Sequence, residues 1–213
     1  FDENGIDLTN WKELLQQGEK AGIDTFYSKV TSHNLRNSVF IDITANQKVS
    51  EMYEHYLREN IAVVTCNKIA CASSSQNYNI LKNVSRKSNV PFLYETNVGA
   101  GLPIIDTLKN LIASGDRVHK IQAVLSGSLN FVFNKFNSST TFCSIVAQAQ
   151  KEGFTEPDPK IDLSGIDVAR KILILARESG YEIELEDIVN NSFLSKESLA
   201  TKTNADFYAS LDK

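Results

Sequence analysis

Asp167 and Lys171 stand four residues apart in a run that opens Glu156-Pro157-Asp158-Pro159-Lys160-Ile161-Asp162 and continues Leu163-Ser164-Gly165-Ile166. On a helix, that spacing puts both side chains on one face, one turn apart. A carboxylate beside an ammonium group, next to further acids in a loop, can grip an amine-bearing substrate and move a proton. The same pair is also what a capped helix with a surface ion pair presents, worth on the order of a few tenths of a kcal/mol. Spacing alone does not separate the two.

The local sequence sets how these groups are held. Pro157 and Pro159 fix φ and disfavour helix in the residue before each, so Glu156 and Asp158 are expected in extended backbone. Ser164 reads as an N-cap with Asp167 closing a capping box. The apolar run through Ile172, Leu173 and Leu175 then carries a helix to Ser179-Gly180.

Upstream, residues 10–21 read as a helix with Trp11, Leu14 and Leu15 on one face. Val39 to Thr44 is a β-branched strand, and Val49, Met52, Tyr53, Tyr56 and Leu57 recur at helical spacing over about 46–59. Ile61 to Cys66 reads as a second strand, 74–87 as a helix, and Pro91 to Thr96 as a third strand. This alternation implies right-handed βαβ units and a parallel sheet. After Gly99-Ala100-Gly101 the character changes. Pro103 suits the first turn of a helix striped by Ile104, Ile105, Leu108, Leu111 and Ile112. A strand over 118–126, helices from Gly127-Ser128 and over 141–151, and a weak helical pattern at Ala205 to Leu211 follow. The boundary between two domains falls near 97–103, giving 1–100 and 101–213.

With 213 residues, 42% of them apolar, the chain can bury one substantial core or two small ones. A net charge of −4 with scattered Lys and Arg argues against nucleic-acid or acidic-membrane partners. No apolar stretch approaches the ~18 residues needed to span a bilayer. Cys66, Cys71 and Cys143 show no paired spacing and no accompanying histidine cluster, so they read as small buried thiols in a reducing cytoplasm. No G-x-G-x-x-G phosphate turn follows any strand.

The string EPDPKIDLSGIDVARK resembles the signature of homoserine dehydrogenases, usually EPDPRDDLSG-x-DVARK. VFIDITANQ, VVTCNK, ETNVGAGLPII and VLSGSLNFVF resemble further family segments in the expected order. The opening FDENGIDLTNWKELL is similar to bifunctional aspartokinase–homoserine dehydrogenases. The resemblance implies an α/β fold: the second half of a Rossmann-like parallel sheet, then an α/β catalytic and dimerisation domain. On that reading the chain is part of a longer protein, with the family's phosphate turn upstream of Phe1 and a C-terminal segment beyond Lys213.

It also implies roles. Lys171 matches the proton-transferring lysine, and Asp167 the acid that orients it. Glu156 matches the carboxylate that holds the substrate amino group, with Asp162 assisting. Lys68 matches a second active-site lysine and Thr44 a cofactor contact, both at strand ends where open α/β sheets bind ligands. Ser128, after Gly127, matches the turn that approaches the substrate carboxylate. The Glu95 side chain and the carbonyls of Val98, Ala100 and Leu102 match ligands of a monovalent cation, sodium. The cofactor implied is NADP or NAD, and the substrates are L-homoserine and L-aspartate 4-semialdehyde. A homodimer is expected through apolar faces at 104–112, 121–125 and 172–176. One departure stands out: Lys160-Ile161 replaces the usual Arg and acid. The competing expectation is a non-catalytic assembly module that retains only the subunit interface.

Overall fold

The computed structural model describes residues 2, 4–155 and 158–211. The chain divides into two compact units, 1–38 and 39–213. In the first, α1 (Trp11–Gln17) and α2 (Ile23–His33) bury no residue. Helix α1 is shorter than the 10–21 expected, since Gly18 is already extended with φ −72° and ψ 159°. Helix α2 stops at Asn34, which adopts a left-handed conformation that asparagine tolerates.

The second unit opens on β1 (Val39–Asp42), followed by α3 (Gln47–Ser50), α4 (Tyr53–Arg58), β2 (Ala62–Thr65), α5 (Ser75–Ser88) and β3 (Phe92–Leu93). The strands form a parallel sheet in the order β1-β2-β3, with Asp42 paired to Thr65 and Val63 to Phe92. The single helix read over 46–59 is two. Ser50 Oγ donates back to the Gln47 carbonyl at 2.7 Å, a local bond that competes with helix continuation. Tyr53, Tyr56 and Leu57 of α4 and Leu81 of α5 are buried with Val63 and Phe92 of the sheet. Tyr56 stacks on Phe40 at 4.1 Å. Each such buried side chain stabilises by about 1.5–3 kcal/mol relative to exposure.

Beyond the sheet come α6 (Ile104–Ala113), α7 (Gly127–Lys135), α8 (Phe142–Lys151), α9 (Pro159–Leu163), α10 (Ile166–Glu178), α11 (Lys196–Leu199) and α12 (Asn204–Ser210). A second core joins Val132, Ile145, Val146, Ala149, Leu163, Leu194 and Phe207.

Two expectations are corrected here. Residues 118–126 form no strand, because among the described residues no neighbouring strand offers a hydrogen-bond ladder. The segment is instead held by side chains: the Tyr181 hydroxyl donates to the Val118 carbonyl at 2.9 Å and Lys171 Nζ to the Leu125 carbonyl at 2.7 Å. Nor do Ser164 and Asp167 form a capping box. Asp158, extended as expected, caps α9 by accepting from Lys160 N at 3.1 Å, and Pro159 opens the helix one turn early. Ser164 therefore closes α9. Gly165, with φ +79°, makes the corner into α10.

Candidate active site

Because α9 takes the capping residue, Asp167 is free for other work. Its Oδ2 lies 2.7 Å from Lys171 Nζ, and its Oδ1 lies 3.4 Å from Lys68 Nζ. One carboxylate thus bridges two ammonium groups, one on its own helix and one 99 residues away at the carboxyl end of β2. Burial pushes the Asp167 carboxyl up, but the hydrogen bond from Lys171 and the charges of Lys68 and Lys171 outweigh it. The group is held below its ordinary 3.8. Lys171 spends a second N–H on the Leu125 carbonyl. An ammonium has three donors, so one direction remains for a reacting oxygen.

The Leu125 carbonyl precedes the start of α7, where Ser126 caps Leu129 N at 3.1 Å. The buried Ser128 hydroxyl donates to Asp162 Oδ1 at 2.7 Å, so two residues singled out from the sequence meet directly. Glu156 lies outside the described residues. Ile161 is exposed, so an apolar side chain there leaves no buried partner unmatched, and Lys160 Nζ donates to the Thr201 carbonyl.

At the sheet's carboxyl edge, Asp42 is buried beneath Thr44. It accepts from Tyr53 OH at 2.5 Å, from Thr44 N at 2.7 Å and from Asn67 Nδ2 at 3.1 Å. Burial works against the charged form, yet the bonds from Tyr53, Thr44 and Asn67 keep this carboxyl below 3.8. Asn67 also donates its backbone N–H to Thr65 Oγ1 at 2.9 Å and its side-chain amide to the Asn46 carbonyl at 3.1 Å. The residue before Lys68 is therefore fixed on three sides. Asp42 carries no mark in the sequence reading and Tyr53 stands only in a helical stripe; the available signal was an acid closing an otherwise apolar strand. Replacing Asp42 by Ala should cost about 3 kcal/mol, since two buried donors and the half-buried Thr44 N–H lose their acceptor. An unshifted denaturant midpoint would show that the network carries no load.

The profile described as homoserine dehydrogenase matches residues 103–210, and that described as homoserine dehydrogenase, NAD binding domain, matches residues 8–95. The chain belongs to the homoserine dehydrogenase family. It is 46% identical over 206 residues to a maize protein named bifunctional aspartokinase/homoserine dehydrogenase 1, chloroplastic, covering 96% of this chain and 22% of that one. In structure it resembles a Candida auris protein of unknown function, with a TM-score of 0.85 and 33% identity over 98% of this chain and 60% of the other. It also resembles a hyperthermophilic archaeal homoserine dehydrogenase in complex with NADPH, with a TM-score of 0.68 and 27% identity over 82% and 56%. The fold is the α/β Rossmann-like fold of this family.

The Glu95–Leu102 turn has a second occupation within the chain. Both Glu95 carboxylate oxygens accept backbone N–H groups at the start of α6, from Ile105 and Asp106, each at 2.8 Å. The Leu102 carbonyl accepts from Ile104 N at 2.9 Å, while Gly99 and Ala100 turn through positive φ. Carboxylate and carbonyl oxygens each keep a further lone pair, so this donor set fits a hard monovalent cation in addition to its protein contacts. Cys66 is exposed rather than buried, because β2 ends at Thr65; Cys71 is buried, and burial pushes its thiol up.

A buried cluster at the far end of α10 had no sequence signal. Arg177 and Glu178 look like ordinary charges closing a helix. Yet both are buried, and the hydroxyls of Tyr78 and Tyr94 donate to Glu178. Lys82 Nζ lies 3.1 Å from its Oε2, and Lys109 Nζ sits 4.2 Å from the centre of the Tyr94 ring.

Proposed function

We propose that the protein carrying these residues interconverts L-homoserine and L-aspartate 4-semialdehyde with NADP or NAD. The observation behind this reading is the Asp167 carboxylate between Lys171 and Lys68, at the carboxyl edge of a parallel sheet. Lys171 gives a proton to the aldehyde oxygen during reduction and takes it from the hydroxyl in the reverse direction. Asp167 and the Leu125 carbonyl aim it. Glu156, with Asp162, holds the substrate ammonium group, and Ser128 faces the substrate carboxylate. Thr44 and Lys68 line the nicotinamide side, and the cofactor supplies or accepts the hydride when bound. The NADPH named for the archaeal relative supports NADP as the first choice. A sodium ion held by Glu95, Val98, Ala100 and Leu102 would stiffen the turn into α6.

The division into a partial NAD(P)-binding part, 1–100, and a catalytic and dimerisation part, 101–213, is supported by the extents of the two profiles. Fusion to an aspartokinase follows the maize relative's name. Pairing of 104–180 with a second copy about a two-fold axis is supported by the segment at 116–126, which carries no secondary structure and leaves Val124 76% exposed. No helix among the described residues is long and apolar enough to cross a membrane. The cytoplasm fits an exposed Cys66 thiol, although the maize relative is named chloroplastic. An assembly module would have no use for a carboxylate bridging two lysines. The test is formation of reduced cofactor from L-homoserine by the whole protein, with sedimentation of the same sample. No turnover with either cofactor would end the enzymatic reading, and a monomer would end the dimer.

A further inference from the structure

Helix α10 meets the turn after β2 in two places. Near its start, Asp167 pairs with Lys68. Near its end, Arg177 Nη1 donates to the carbonyls of Cys71 at 3.0 Å and Ser73 at 2.7 Å. The turn itself is compact, with Ala72 N donating to the Lys68 carbonyl at 2.9 Å, and the helix is joined to it at both ends. The remaining guanidinium N–H groups go to the Ile183 carbonyl, at 3.2 and 3.0 Å, and to Glu184 Oε2 at 2.9 Å. All five donors of a guanidinium are engaged, on a side chain only 2% exposed.

Glu184 in turn accepts from Ser75 N at 2.9 Å, at the start of α5. Glu178 is bound by Tyr78 and Lys82 of α5 and by Tyr94, the residue after β3. The end of α10 is consequently fixed to the very turn that presents Lys68, to the helix that follows it and to the end of β3. A helix is stiff along its axis, so a shift at Arg177 is transmitted to Asp167 and Lys171.

We propose that Arg177 is a positioning residue for the hydride-transfer site, holding the Lys68 turn in register with Asp167 and Lys171. This rests on the dehydrogenase reading above. All of the Arg177 donors are spent on protein acceptors, which leaves none for substrate or cofactor. Arg177 acts through the peptide run from Lys68 to Ser73, whose carbonyls a planar fork can grip together and a single ammonium cannot.

The experiment is Arg177→Lys in the whole protein, measured for kcat, cofactor dissociation constant, melting temperature and the isotope effect with NADPH deuterated at its transferring carbon. The expected result is a kcat at least about tenfold lower per folded site, a cofactor affinity within about twofold, and a larger isotope effect as hydride transfer becomes limiting. A lower melting temperature with wild-type kcat and isotope effect would overturn the proposal, because a merely structural role moves stability alone. Should Arg177→Lys fail to fold, Tyr94→Phe removes one hydroxyl from Glu178 and keeps the ring. It must then lower kcat and move the isotope effect in the same direction, and wild-type values for both would overturn the proposal. Failure of the functional reading itself looks different: the wild type then shows no homoserine oxidation to lose.

Discussion

Replacing Lys171 by Ala in the whole protein should lower kcat about a hundredfold or more, the usual scale for a lost general acid or base, with cofactor affinity nearly intact. The side chain is largely buried, at 17% exposed, so its loss also removes some packing. What it supplies is an N–H aimed by Asp167 at 2.7 Å and by the Leu125 carbonyl at 2.7 Å, and alanine supplies none. Glu156→Ala should behave differently. It removes a charge-assisted grip on the substrate amine, so its effect should fall chiefly on KM for homoserine. If Lys171 were only a helix-surface lysine paired with Asp167, its loss would cost at most about 1 kcal/mol of stability. Steady-state kinetics of the two variants decides the matter, and a near-normal kcat in Lys171→Ala would rule out the proton-transfer role.

Glu178→Ala should destabilise the fold by about 3–5 kcal/mol, the scale for stranding one member of a buried charge pair. Lys82 loses a carboxylate at 3.1 Å, and two buried tyrosine hydroxyls lose their acceptor. The same carboxylate makes stability depend on acid. Burial pushes Glu178 up, but the Lys82 charge and the Tyr78 and Tyr94 hydroxyls outweigh it, so its folded value lies below the ordinary 4.5. Its contribution is fully present above 4.5 and is lost as pH falls through the lower, folded value. Denaturant midpoints measured from neutral pH into this acid window should fall for the wild type and fall less for Glu178→Gln. Parallel curves for the two proteins would show that Glu178 is not the titrating group.

The sequence exposed what local chemistry controls. Runs of β-branched residues mark β1 and β2, and the spacing of Asp167 and Lys171 does place them together on α10. Residues 118–126 carry the same local character as a strand but lack a ladder partner, and a ladder is a property of two segments. Asp158 and Ser164 are both good caps. Which one starts a helix depends on Pro159 already having opened α9. The approach of Lys68 to Asp167 spans 99 positions and came only from family resemblance. The burial of Arg177 and Glu178 had no sequence counterpart, because polar residues at a helix end look alike whether they meet water or a ring of backbone and side-chain partners.

Gly165 turns the corner between α9 and α10 at φ +79°, and a Cβ built there would lie 2.8 Å from Asn190 Oδ1. The Asn190 amide is itself committed to the Ser164 carbonyl at 2.8 Å. Every single-base missense change of a glycine codon inserts a residue with a Cβ: alanine, serine, valine, cysteine, aspartate, glutamate, arginine or tryptophan. Each would incur the left-handed penalty of roughly 1–2 kcal/mol and crowd Asn190. Every missense neighbour of this codon is therefore strained in the backbone and must displace the Asn190 side chain, and only synonymous changes leave the corner as it is.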